Sequence, residues 1–241
     1  MRKDAEIRFI LAVSIAIILL SFFRECKAQS VPLVRVKHDA FVSYYDLEKH
    51  NPALVVYELS AAHFAGTLKV SGRHFKADTK LPRPRVKDCD YKNTGFVRGH
   101  LCSAADRDSD KAWLKQTYLT SNLVPMTMVC NSGEWKKVED QCRAHAMRGH
   151  SLKIARGPLY FVCRWLAAKS ITIAIPDGFF CAAQCSDCGY RGFHLVCNTG
   201  SPDPTQKCGI SHKFVKDDRV SVLLSNCIGL WSREEYETIT H

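Results

Sequence analysis

The chain has 241 residues, 46% hydrophobic and 24% charged, with 34 basic against 24 acidic side chains and a formal net charge of +10. Length and apolar content exclude a chain too short or too polar to bury a core. No repeat, low-complexity block or long Gly/Ser linker divides it into an array. The positive balance favours a polyanionic partner, whether nucleic acid, a sulfated glycan or an anionic membrane, and does not choose among them.

At the N-terminus, Arg2 and Lys3 precede an apolar run, Phe9–Phe23, after which charge returns at Arg24, Glu25 and Lys27 and a small residue stands at Ala28. This order predicts a secretory signal peptide over residues 1–28. The run falls short of the ~20 residues that a membrane-spanning helix needs. Residues 29–241 are then one domain, secreted or periplasmic, with no stable membrane association after cleavage. Of the 12 cysteines, Cys26 leaves with the signal. Such cysteine density in an exported chain argues for disulfides, and the odd number remaining leaves at least one unpaired.

In chain order, Leu54–Leu59 (LVVYEL) is apolar and β-branched and predicts a buried strand. Lys80–Lys92, punctuated by proline, predicts a surface loop. The strongest helix signal begins at Asn131, a candidate N-cap with Glu134 placed as in a capping box, followed by Trp135, Val138 and Cys142 at helical spacing. Short strands are expected at Leu152–Ala155, Ile171–Ile175, Phe179–Ala183 and Phe193–Cys197, with a turn at Pro176-Asp177-Gly178. Val220–Ile228, stopped by Gly229, reads as a closing helix. Strands and helices do not alternate regularly, which points to an α+β domain with a mainly antiparallel sheet.

One cluster carries chemistry. His100 is a natural general base near neutral pH, and Arg98 offers a planar fork of donors suited to phosphate. Gly99 between them removes a side chain and permits close approach. Asn131 and Glu139, on one predicted helix, would lie about 80° apart around its axis. An amide oxygen and a carboxylate so placed suit a hydrated Mg²⁺. Each residue alone also has a structural reading: a turn histidine, a helix cap, a solvated glutamate.

Together these blocks resemble the DNA/RNA non-specific endonuclease family, a branch of the ββα-metal nucleases. The resemblance rests on VRGH at Val97–His100, SNLVPM at Ser121–Met126 and NSGEWKKVE at Asn131–Glu139, flanked by DYKNTGF, LCSAADR and TYLTSN. YELS at Tyr57–Ser60, Arg73 before FKAD, RGPLY at Arg156–Tyr160 and IPDGFF at Ile175–Phe180 extend it over most of residues 52–231.

The resemblance implies an endonuclease cutting DNA and RNA without sequence specificity and leaving 5′-phosphate ends. His100 would activate water, Asn131 would ligate Mg²⁺ (Mn²⁺ as a substitute), Glu139 would hold the metal's waters, and Arg73 and Arg98 would neutralise phosphate charge. Two positions depart from the family pattern: an aspartate is replaced by Val97 and a glutamine by Met126. An aspartate at 97 could orient Arg98 or the imidazole, and valine cannot. The departures leave open a catalytically impaired member that binds nucleic acid or another polyanion, and an interaction protein that keeps only the fold. CAAQCSDC at Cys181–Cys188, with Cys197 and Cys208, adds a cysteine-rich C-terminal region. Cys185-Ser-Asp-Cys188 could begin a zinc site. Without a recognised histidine pair, disulfides are favoured there, with Cys102 the candidate unpaired thiol.

Overall fold

A computed structural model describes residues 33–64, 66, 68, 75–162, 164–185 and 187–199. The predicted signal segment, Arg73, Cys208 and the predicted helix Val220–Ile228 lie outside the described residues.

Alternating apolar residues build a six-stranded antiparallel sheet from β1 (Val34–Lys37), β2 (Val42–Asp46), β3 (Asn51–Leu59), β6 (Leu152–Leu159), β9 (Gly178–Cys185) and β10 (Arg191–Cys197), in that spatial order. The predicted strand at Leu54–Leu59 is the inner part of β3, which pairs with β6 through Val55↔Arg156 to Leu59↔Leu152. Because side chains alternate across a strand, β9 divides its residues between two cores. Phe179, Cys181, Ala183 and Cys185 join one cluster, and Phe180 and Ala182 join the other with Leu54, Ala155 and Leu159. The cysteine-rich stretch is thus part of the sheet, not an appendage to it.

The sequence blocks around His100, Asn131 and Glu139 are inserted between the neighbouring strands β3 and β6. The insertion contains α1 (Ala61–Phe64), β4 (Val97–His100), α2 (Lys111–Thr117), β5 (Leu123–Met126), α3 (Met128–Ser132) and α4 (Glu134–Ala146). In α4 the buried residues Trp135, Val138, Cys142 and Ala146 form one stripe, the spacing expected of a helix laid on a sheet. They pack against Tyr57, Leu152, Ile154 and Phe179 in the larger core. β7 (Trp165–Ala167) and β8 (Thr172–Ala174) form a separate ribbon, so the predicted strand at Ile171–Ile175 exists but does not enter the main sheet.

The expected disulfide framework meets a different arrangement. Cys89, Cys102, Cys130, Cys142, Cys181, Cys185 and Cys188 are free thiols. Cys197 is disulfide-bonded. Cys102 is free as expected, and burial pushes its thiol up to about 12.

A buried acid ties the edge of the sheet to the insertion. His38 Nε2 lies 2.7 Å from Asp78 Oδ2. Ser121 Oγ donates to the same oxygen, and the Lys80 amide donates to Asp78 Oδ1 at 2.9 Å. Burial works to raise the Asp78 carboxyl, but bonds from His38, Ser121 and Lys80 outweigh it and hold it below its usual value. A carboxyl depressed in the folded state stabilises fully above its unfolded pKa, and that contribution is lost as pH falls through the folded value. Asp78→Asn is expected to cost about 1.5–3 kcal/mol at neutral pH and to make the acid side of the stability profile shallower. Denaturant unfolding at stepped pH would measure both.

Candidate active site

β4 and β5 pair antiparallel in the register Val97↔Met126, Arg98↔Pro125, Gly99↔Val124 and His100↔Leu123. Strand alternation puts Arg98 and His100 on one face and Val97 and Gly99 on the other. The first face is aromatic. The His100 ring lies 5.8 Å from Phe75 and meets Tyr118 edge-on at 5.2 Å. The Arg98 guanidinium sits over Phe75 at 5.1 Å and over Tyr91 at 5.4 Å. On the opposite face, a Cβ at Gly99 would come within 2.6 Å of Met126 Cε. Gly99 therefore makes room for Met126 on the core side, rather than for close approach beside His100.

Arg98 takes its orientation from a residue the motif does not contain. Its Nε lies 2.7 Å from Asp88 Oδ1, and its Nη2 donates to the Asp88 carbonyl at 2.6 Å. Asp88 opens a short 3-10 turn, Asp88–Tyr91, inside the segment expected to be loop. Val97, by contrast, packs against the main core together with fully buried Met126. An aspartate at 97 would leave β4 on the face away from Arg98 and His100, so it would not be the group that orients either side chain.

The backbone around His100 is strapped on both sides. Trp135 Nε1 of α4 donates to the His100 carbonyl at 3.1 Å. Leu101 N donates to Asn122 O at 3.0 Å, and Cys102 N donates to Asn122 Oδ1 at 2.7 Å. Asn122 Nδ2 in turn donates to the carbonyls of Cys102 (2.8 Å) and Thr117 (2.9 Å). Asn122 is fully buried. The Ser-Asn pair of the sequence block is thus a brace: Asn122 fixes the chain after His100, and Ser121 anchors Asp78.

Asn131 does not cap the long helix. Thr127 does the capping, its Oγ1 accepting from Cys130 N at 3.2 Å at the start of α3. Asn131 lies in the last turn of α3, and Gly133 breaks the path before α4 begins at Glu134. A Cβ at Gly133 would stand 2.5 Å from Val129 O, so the break requires glycine. The single straight helix assumed for Asn131 and Glu139 is therefore two helices, with α3 packed on β4. Asn198, just past β10, sets where α3 starts. Its Oδ1 accepts from Thr127 N at 2.8 Å, and its Nδ2 donates to Pro125 O and Pro176 O at 3.1 and 2.9 Å.

Glu139 lies one turn beyond Trp135, on the same side of α4, and its Oε2 accepts from Ser103 Oγ at 3.2 Å. Behind it is a buried charge network. Arg156 Nη1 lies 3.9 Å from Glu139 Oε1 and 3.5 Å from Asp106 Oδ2, and donates to Leu101 O at 3.1 Å. Asp106 also accepts from Arg143 Nη1 at 2.6 Å and from Tyr57 Oη at 2.7 Å. Burial raises the Glu139 carboxyl to about 7, against the lowering effect of Arg156. Asp106 and Arg156 sit in blocks visible in the sequence, LCSAADR and RGPLY, yet charge alone gave them no role. Burial does: both side chains are fully enclosed.

The strand pair bearing Arg98 and His100, followed by α3 and α4, forms a ββα unit set on an antiparallel sheet. The chain matches the DNA/RNA non-specific endonuclease family over residues 25–215. It belongs to that family. Among its relatives, mitochondrial nuclease EXOG of Xenopus laevis is 30% identical over 116 residues, 48% of this chain and 32% of that protein. Mitochondrial endonuclease G of Homo sapiens is 24% identical over 152 residues, 59% of this chain and 51% of that protein. The chain spans about half or less of the length of these curated relatives. A crystal structure of an EndoG/EndoGI complex aligns with a TM-score of 0.61 at 21% identity, covering 71% of this chain and 78% of that one. The fold is the ββα-metal nuclease fold.

Within this family fold, the two departures are direct cross-strand partners, Val97↔Met126. Where the family pattern has a polar pair, this chain has an apolar one at a single point of contact. Restoring one member should therefore harm the fold. Val97→Asp alone is expected to cost about 1–3 kcal/mol through a poorly satisfied carboxylate. Val97→Asp with Met126→Gln should recover about 1 kcal/mol of that through their coupling. A double-mutant cycle in denaturant would show it, and strict additivity would rule out the pairing.

Proposed function

We propose that the chain is an exported, Mg²⁺-dependent endonuclease that hydrolyses phosphodiester bonds of DNA and RNA without sequence specificity, leaving 5′-phosphate ends, with Mn²⁺ as a substitute. Residues 1–28 would be the export signal and residues 29–241 the enzyme, secreted or periplasmic. The observation that carries the reading is the bond from Trp135, on the helix that bears Glu139, to the His100 carbonyl, with Asn122 bracing the chain just after it. A base must be held within hydrogen-bond reach of its proton, and here the main chain that follows it is fixed.

The donor set fits a hydrated Mg²⁺. Asn131 offers an amide oxygen and Glu139 a buried carboxylate, the hard ligands that this ion prefers. A carboxyl raised to about 7 by burial is one whose charged form gains from a cation nearby. When bound there, the cation supplies charge neutralisation at the scissile phosphate. His100 would take the proton from the attacking water. Arg73 would face the phosphate. Arg98, held by Asp88, would contribute its charge from a fixed position. Contacts limited to backbone phosphates carry no base information, which accounts for cleavage without sequence preference.

The ion pair of Arg98 with Asp88 favours a second reading, an impaired member that binds nucleic acid or another polyanion. Activity on plasmid DNA and on RNA separates the two. His100→Ala and Asn131→Ala are each expected to lose on the order of 1,000-fold in kcat/KM, and EDTA should abolish cleavage by the wild type. Salt-sensitive retention of DNA with no cleavage by the wild type would establish the binder instead.

Gly133→Ala tests the geometry separately. A methyl group pressed on Val129 O shifts α3 against α4, and with them Asn131 against Glu139. A displacement of that kind is expected to lower kcat/KM by about 100-fold while the unfolding midpoint changes far less than for a core truncation. N-terminal sequencing of the exported protein would locate the cleavage site.

A further inference from the structure

On the side of α4 remote in sequence from Asn131, four side chains converge that the proposed nuclease chemistry does not use. His145 lies in the last turn of α4, and His150 lies in the link to β6. Cys185 ends β9, and Cys188 lies in the turn between β9 and β10. Their candidate ligand atoms, one from each residue, all lie within 4.8 Å of one another. Cys188 Sγ is 3.3 Å from His145 Nε2.

We propose that His145, His150, Cys185 and Cys188 form a structural Zn²⁺ site. A tetrahedral ion with Zn–S of about 2.3 Å and Zn–N of about 2.0–2.1 Å holds its ligand atoms roughly 3.3–3.8 Å apart. The observed cluster needs only a small contraction to reach that geometry. Two thiolates with two imidazoles select zinc over the hard ions Mg²⁺ and Ca²⁺, which take oxygen. Four protein ligands close the coordination sphere, which is the mark of a structural rather than a catalytic zinc. In sequence, the cluster reads as H-x₄-H followed by C-x₂-C, both within common zinc-ligand spacings.

The surroundings prepare the ligands. Cys185 is buried, and the Cys188 side chain and the amides of Cys188 and Asp187 donate to its sulfur. Cys185 N donates to Tyr190 O at 2.8 Å and closes the turn, in which Gly189 adopts φ +69°. His145 is stacked between Tyr190 (centroids 4.3 Å) and His150 (4.8 Å). The ion would pin the C-terminal end of α4 to the β9–β10 turn.

The test needs no nucleic acid, so it stands or falls apart from the nuclease reading. The full chain, produced in zinc-supplemented medium and desalted, should carry one zinc per chain by elemental mass spectrometry. Co²⁺ exchanged for it should show thiolate-to-cobalt charge transfer and tetrahedral d–d bands. Changing groups that only support a metal ligand costs about 10–100-fold in affinity. His145→Ala with His150→Ala, which removes two ligands, is expected to weaken zinc binding by more than that. Asn131→Ala should keep its zinc, which separates this ion from the proposed Mg²⁺ site. The proposal is overturned if the wild type takes up no zinc and peptide mapping finds Cys185 joined to Cys188 as a disulfide. It is also overturned if the double histidine variant keeps its full complement. Should that variant fail to fold, the wild-type cobalt spectrum decides: no thiolate charge-transfer band means no site.

Discussion

The arrangement depends on one main-chain segment, His100–Ser103, being held in place by other elements. The His100 carbonyl accepts from Trp135, the Leu101 amide donates to Asn122, and Cys102 is bonded to Asn122 through both its amide and its carbonyl. Ser103 then reaches Glu139 through its hydroxyl. The imidazole can change rotamer, but the peptide that follows it is paired at both its carbonyl and its amide. Buried peptide groups must be paired in any case. Here the pairing goes to side chains from two different elements, and that obligation is what brings a strand and a helix into one site.

The exchange of a polar pair for Val97 and Met126 takes its meaning from the same geometry. These residues face each other on the core side of the ribbon, where Met126 also fills the space that Gly99 leaves. Loss of a catalytic aid would be expected to disturb the Arg98 and His100 face. That face is instead furnished independently: Asp88 engages Arg98, while Phe75 and Tyr118 enclose the imidazole. An apolar pair in an apolar setting needs no compensating hydrogen bonds, whereas one polar member of such a pair would. The substitutions belong together, and they concern packing before they concern chemistry.

Much of the site was legible because its residue types announce their chemistry. A histidine beside arginine and glycine, and an asparagine eight residues before a glutamate, suggest a base and an oxygen-ligated cation before any fold is known. Four of the six strands of the sheet were legible from short apolar runs, whereas β1 and β2 were not expected. What escaped was whatever depends on contacts between distant parts of the chain. Asp88 lay in a proline-punctuated loop, and nothing local points it at Arg98. Asn198 clamps the start of α3 from beyond β10. Arg156 stands in the RGPLY block, but nothing local gives it a role before its burial against Asp106 and Glu139. The expected single helix is divided for a local reason: Thr127 caps α3, and α4 starts without a side-chain cap after Gly133, which has no Cβ to collide with Val129 O.

The histidine pair at 145 and 150 shows the same limit from the other side. The cysteine spacing alone suggested a metal or a disulfide, and the choice turned on finding imidazoles nearby. They lie upstream, across a whole strand of sequence, and only the pairing of β6 with β9 brings Leu152 opposite Cys185. That register carries the end of α4 to the β9–β10 turn. α4 is thereby related to the rest of the protein at three levels. Asn198 fixes the helix that precedes it, Trp135 and Glu139 join it to the His100 strand, and its last turn meets the Cys/His cluster. A helix constrained at one end only could slide or tilt against the sheet and take Glu139 with it. Constraint at both ends leaves the break at Gly133, held against Val129 O, to set the position of Asn131 relative to Glu139.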